Sequence, residues 1–265
     1  MNKQTAEQPA DFAGFCGKQV RAVVFDAVGT VMFPQPSVAA VYQQSLRRHC
    51  GVEVSAERAT EVVRKALQQR SADADLRTSE DSESDFWASL IQTLCPGSCG
   101  FQDCFDDLFT HFGDASHWRC FPDVPEAVSQ LQTAGLTLAI ASNFDLRLNA
   151  VCDGLPPLAA ISERLISSQI GWRKPAPQFF SAVAEKLNLA PAQILMVGDD
   201  LQNDVSGAIA AGMPSAWICR DTAVRFVVPN SAFRLSSLTE LVTLLTVNVD
   251  SGAATVPQKE DRGRV

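Results

Sequence analysis

VVFDAVGTV, residues 23–31, runs from three consecutive apolar residues into an aspartate and then loosens into Gly29 and Thr30. An apolar run without polar alternation predicts a strand buried on both faces, the habit of a parallel sheet. Asp26 at its end predicts a polar side chain at the carboxyl edge of that sheet, where open α/β folds place their ligands. Two residues further on stands Val28, which can neither donate nor accept a proton.

Similar runs recur along the chain: LTLAIAS (136–142), QILMVGD (193–199), SAWIC (215–219) and the weaker RLISS (164–168). Helical patterns fill the gaps. Residues 125–134 begin at a proline and stop at Gly135, the usual asymmetry of helix ends, while 177–188 and 204–211 are apolar at helical spacing. Strands alternating with helices predict an α/β fold, a doubly wound, Rossmann-like parallel sheet.

The rhythm breaks for roughly 85 residues after the first strand, where the pattern is that of successive amphipathic helices. Ala59, Val62, Val63, Ala66 and Leu67 share one helical face; so do Phe86, Trp87, Leu90, Ile91 and Leu94, and Phe101, Phe105, Leu108, Phe109 and Phe112. SEDSESD (79–85) puts negative charge at a helix start, where the macrodipole favours it. The insert reads as an all-helical cap over the carboxyl edge of the sheet. Its aromatic stripes read as cap core, with a hydrophobic ligand surface as the alternative. The division expected is a flexible tail over 1–18, an α/β core over 19–33 and 118–246, a cap over 34–117 and a second flexible tail over 247–265.

Composition narrows the function. Of 265 residues, 46% are hydrophobic and 20% charged, the balance of an ordinary globular protein. The formal net charge of -8 leaves no basic footprint for nucleic acid or an anionic membrane. The eight cysteines include no CxxC pair, and Cys95, Cys99, Cys104 and His111 lack zinc-ligand spacing, so thiols in a reducing cytoplasm are the reading. No signal peptide or membrane-length apolar run is visible.

The strand ends carry the chemistry. Besides Asp26 they offer Ser142 and Asn143, then Asp199 and Asp200, with Asp204 one turn on; Lys174 lies in the GWRKPAP loop (171–177). Singly, each is explained as a cap, a turn residue or a solvated charge. In this order FDAVGTV, ASN, RKP and GDDLQNDVSGAIAAGM resemble the four motifs of the haloacid-dehalogenase-like hydrolase superfamily, across about residues 20–246, with the insert where its type-one caps sit. Motif one and FPQPSVAAVY (33–42) are similar to the subfamily of haloacid dehalogenase-like hydrolase domain-containing protein 3 and the rhythmically expressed gene product of flies.

The resemblance implies a phosphatase acting on a small phosphorylated molecule. Asp26 would be the nucleophile that forms an aspartyl-phosphate. Magnesium would be held by Asp26, the Val28 carbonyl and Asp199, with Asp204 supporting. Lys174 would balance charge, Ser142 and the Asn143 amide would hold phosphate oxygens, and Thr30 would orient Asp26 or its loop. Family phosphatases place a second Asp where Val28 stands, as general acid and base; that help is typically worth about 10²–10⁴-fold. Three readings therefore stay open: a weakened phosphohydrolase, using an acid from the cap or a substrate that needs none; a regulatory, phosphometabolite-binding protein; and a 2-haloacid dehalogenase. Arg47, Arg48, Arg58 and Arg77 are candidate substrate contacts in the cap.

Overall fold

The computed structural model describes residues 19–97, 99–221 and 232–246. The expected tails at 1–18 and 247–265 lie outside the described residues. Strands β1 (Ala22–Phe25) and β2 (Met32–Pro34) are followed by four helices, α1 (Val38–Ser45), α2 (Ala56–Ser71), α3 (Glu80–Leu94) and α4 (Phe101–Gly113). Next come β3 (Trp118–Cys120), α5 (Val124–Thr133), β4 (Thr137–Ser142), α6 (Arg147–Asp153), α7 (Pro156–Ala159), β5 (Glu163–Ile166) and α8 (Ser167–Ile170). The last elements are α9 (Pro177–Leu187), β6 (Ile194–Gly198), α10 (Gly207–Ala210), β7 (Ser215–Ile218), β8 (Ala232–Leu235) and α11 (Leu238–Thr246).

Six strands pair in parallel in the order β5-β4-β1-β6-β7-β8. The apolar runs are continuous because each strand is covered on both sides, and the two-residue period sorts their side chains. Val23, Phe25, Leu138, Ile140, Leu195 and Val197 point into one core, against α5 and α11. Ala22, Val24, Ala139, Ala141, Ile194 and Met196 point into the other, against Phe179, Phe180 and Val183 of α9. This is the doubly wound sheet expected. β1 lies in the middle, so Asp26 leaves the sheet between Ser142 and Asp199 on the flanking strand ends.

Between the antiparallel pair β2 and β3, helices α1 to α4 pack around a cluster of their own that includes Val41, Tyr42, Leu46, Ala59, Val62, Leu90 and Ile91. Helix ends follow local chemistry. Pro177 occupies the first turn of α9, and Asn188 closes that helix in the left-handed conformation. The helix expected from residue 204 starts earlier, with a π-helical turn over Leu201–Ser206, because the Asp200 side chain accepts from the N–H groups of Gln202 and Asn203.

Candidate active site

Asp26, Asp199 and Asp204 bring one carboxylate oxygen each to within 4.8 Å of one another. Into this cluster reaches Lys174, fully buried from the loop before α9. Its ammonium donates to Oδ1 of Asp26 at 2.6 Å, to Oδ1 of Asp204 at 2.6 Å and to the Ala141 carbonyl at 2.8 Å. Burial works against the ammonium, but Asp204 and Asp26 outweigh it, and the Lys174 pKa rises. One lysine does not neutralise three carboxylates. Burial, followed by Asp26, Asp204 and Asp200, raises the pKa of Asp199 well above its usual value. Burial likewise pushes Asp204 up to about 7, with Lys174 opposing. An oxygen-only donor set with this excess of negative charge fits a hard divalent cation such as magnesium.

Local structure positions each group. Asn143 locks the lysine loop in place: its side chain donates to the Lys174 carbonyl at 3.0 Å and accepts from the Lys174 N–H at 2.7 Å. Asn143 and the buried Ser142 both line the cleft. Of the two roles expected for Thr30, orienting Asp26 finds no bond: the hydroxyl is aimed at Oδ1 of Asp199, 3.5 Å away. Arg220, which the sequence did not single out, fixes the same loop by donating to the Thr30 carbonyl at 2.8 Å and to Asp123 at 2.9 Å. Gly29 has φ 89°, and a Cβ there would collide with the Asp199 carboxylate, so glycine is required on both counts.

Val28 is 36% exposed and lines the cleft of about 1040 Å³ that opens above Asp26. Part of the cap's lining of the cleft is Thr60, Val63, Arg64, Leu67, Gln68 and Ser71, one strip of α2 at helical spacing. This strip lies beside the one that carries Ala59 and Val62 into the cap core. Leu67, expected within the buried face, is exposed on the cleft wall, while Val63 packs against the cap core as expected and also borders the cleft. The candidate arginines do not. Arg47 pairs with Glu53, Arg48 with Asp107, Arg58 with Glu61 and Arg77 with Asp75, and none of them lines the cleft. The arginines that do are Arg64, Arg70 and Arg173.

Arg70 and Arg173 are committed to other partners, Arg70 within the cap and Arg173 between core and cap. Arg70 makes a two-pronged pair with the buried Glu83, at 2.5 and 2.7 Å. Arg173 donates to the carbonyls of Arg70 at 2.8 Å and Asp75 at 3.0 Å. Nearby, the Asn203 amide donates to Ser71 at 2.9 Å. Among the described residues lining the cleft, the carboxylates are Asp26, Asp199, Asp200 and Asp204, all from strand ends or the loops after them. The cap supplies none.

A parallel sheet with an acidic cluster, a lysine between its carboxylates and an inserted helical layer defines a class. A family model described as haloacid dehalogenase-like hydrolase matches residues 20–212, and the chain belongs to that family. It is 29% identical over 240 residues to haloacid dehalogenase-like hydrolase domain-containing protein 3 of Bos taurus, with 86% of this chain and 94% of that protein covered. That relative carries the subfamily name read from residues 23–42. A phosphoglycolate phosphatase of Shigella boydii is 25% identical over 224 residues, covering 76% of this chain and 82% of its own. A solved structure described as a dehalogenase with intermediate complex superimposes with a TM-score of 0.67 at 21% identity, covering 86% of this chain and 97% of that one, and so shares the fold. No helix among the described residues is long and apolar enough to cross a membrane.

Proposed function

We propose that this protein is a magnesium-dependent phosphohydrolase that acts through an aspartyl-phosphate on a small phosphorylated molecule. The observation that carries the reading is the Lys174 ammonium, 2.6 Å from both Asp26 and Asp204 within a cluster of three carboxylates. Lys174 holds one oxygen of Asp26 and leaves the other to attack phosphorus as the bond to the leaving group breaks. Ser142 and the Asn143 amide hold the phosphate oxygens. Water then attacks phosphorus, the bond to Asp26 breaks, and phosphate departs.

Asp26, the Val28 carbonyl and Asp199 would hold the ion, with Asp204 supporting and Thr30 steadying Asp199. Bound magnesium would offset the repulsion between the carboxylates and an anionic substrate. Phosphatase relatives support a phosphorylated substrate. The unpaired thiols of the described cysteines suit the cytoplasm.

A phosphometabolite-binding protein is the second reading, favoured by Val28 and by a cap that brings no carboxylate to the cleft. The 2-haloacid dehalogenase reading is weaker, because the acidic cluster repels a haloacid carboxylate.

The test is magnesium-dependent release of phosphate from acetyl phosphate by the parent and by Asp26→Asn, with melting curves recorded for both. Turnover that vanishes in a folded variant supports the reading. A variant nearly as active as the parent overturns it.

A further inference from the structure

A second cavity, of about 210 Å³, opens off the catalytic cleft between the cap and the core. Val28, Val38, Val63, Leu67, Trp87 and Asn143 line both spaces, so the smaller one is a side chamber of the larger. Its inner wall is aromatic, with Phe105, Phe109, Phe112, Trp118 and Phe144. Val28 and Leu67, 36% and 42% exposed, are two of the three exposed large hydrophobic residues among those described, and both stand at the mouth.

The chamber offers no spare charge. Among the described residues on its wall, Arg147 is the one basic side chain, and its guanidinium is spent. It donates to Asp145 at 2.8 and 2.6 Å and to the Phe109 carbonyl at 2.9 Å, and it stacks over the Phe109 ring 3.6 Å from the centroid. The amide of Asn143 is bound to Lys174 on both sides. What fits is neutral, apolar and ring-like. A dry cavity of roughly 150 Å³ is enough to hold benzene, so this one has room for a single substituted ring.

We propose that the phosphorylated ligand carries a neutral aromatic group, and that this group occupies the side chamber while the phosphate sits over Asp26. The inference rests on the phosphohydrolase reading for turnover, and it explains Val28. An aryl oxide or aromatic carboxylate leaves as a stable anion: the Asp26–phosphorus bond forms, the phosphorus–oxygen bond breaks, and the leaving oxygen takes the electron pair. Water replaces Asp26 in the second step and its proton goes to solvent. No side-chain acid is needed at position 28, and an apolar residue there completes the chamber wall.

The test uses the full chain with millimolar magnesium and two non-hydrolysable probes, benzylphosphonate and methylphosphonate, measured by calorimetry. Benzylphosphonate should bind at least about tenfold tighter, the order expected for filling an apolar pocket. Leu67→Glu, at an exposed position that tolerates charge in folding, should erase that ratio. Val63→Trp, which narrows the mouth, should do the same. In parallel, benzoyl phosphate should exceed acetyl phosphate in kcat/KM by a similar factor, the two leaving groups being of like basicity. Equal binding of the phosphonates, binding of neither, or a ratio unchanged in both variants overturns the inference. Turnover of acetyl phosphate in that case leaves the phosphohydrolase reading standing. Preferential benzylphosphonate binding with no turnover of either acyl phosphate upholds the aromatic ligand and overturns the phosphohydrolase reading.

Discussion

The Lys174 ammonium lies 2.6 Å from Oδ1 of Asp26, in a pocket that leaves the lysine side chain 2% exposed. A cation so far from water persists only because carboxylates surround it, and the carboxylates tolerate one another only because it is there. Lys174→Met should therefore destabilise the fold by roughly 3–5 kcal/mol, the usual cost of stranding buried charge. Urea unfolding measures the loss, and magnesium should restore part of it. A variant as stable as the parent would show that the cluster does not depend on its lysine.

Metal removal should make stability depend on pH in a defined direction. Asp204 titrates near 3.8 when unfolded and is raised to about 7 in the folded protein. Between those values the folded state holds more protons, so in chelator the contribution of Asp204 to stability is fully present below the lower value and is lost as pH rises through the upper one. Asp199 is shifted the same way. Magnesium should flatten the decline and raise the melting temperature by mass action. Melting curves across about pH 5 to pH 8, with EDTA or magnesium, check this. Asp199→Asn should melt higher than the parent in EDTA and respond less to magnesium.

Two helices of the cap are joined by a buried ion pair that the sequence half disclosed. SEDSESD was expected to charge a helix start, and Ser79 indeed caps α3 in a capping box with Ser82. Glu83, though, is drawn inward onto Arg70, and its side chain is 3% exposed. Glu83→Gln should cost roughly 3–5 kcal/mol by leaving Arg70 buried without its partner, read by urea unfolding. Glu61→Gln, whose partner Lys65 is exposed, should leave stability nearly unchanged.

Why the sequence disclosed some of this and not the rest follows from pattern length. β1, β4, β6 and β7 were legible because strands covered on both faces are continuously apolar. The pair β2 and β3, at three residues each, is too short to carry a period, and Arg234 interrupts the apolar run of β8. Asp26, Lys174, Asp199 and Asp204 were legible because strand ends and their loops must meet at one edge. The cap arginines were not, since which of them faces the cleft depends on the rotation of α2. The strip Thr60, Val63, Arg64, Leu67, Gln68 and Ser71 has the right spacing, but its mixed polarity conceals it beside the more apolar strip.

Val28 carries the remaining prediction. With no carboxylate from the cap reaching the cleft, turnover should depend steeply on the leaving group. Aryl and acyl phosphates should be hydrolysed, and sugar phosphates should be slower by the roughly 10²–10⁴-fold that acid catalysis supplies. Val28→Asp should raise alkyl phosphate turnover selectively, because it places a proton donor two residues after the nucleophile. The substitution suits the site, since Val28 is 36% exposed and faces the cleft, where a carboxylate keeps contact with solvent. It should at the same time weaken aryl substrates, because a carboxylate then stands at the mouth of the apolar chamber. One variant assayed on an alkyl and an aryl phosphate with magnesium thus gives changes of opposite sign. If the parent hydrolyses both classes equally well, another group donates the proton, and the account of Val28 fails.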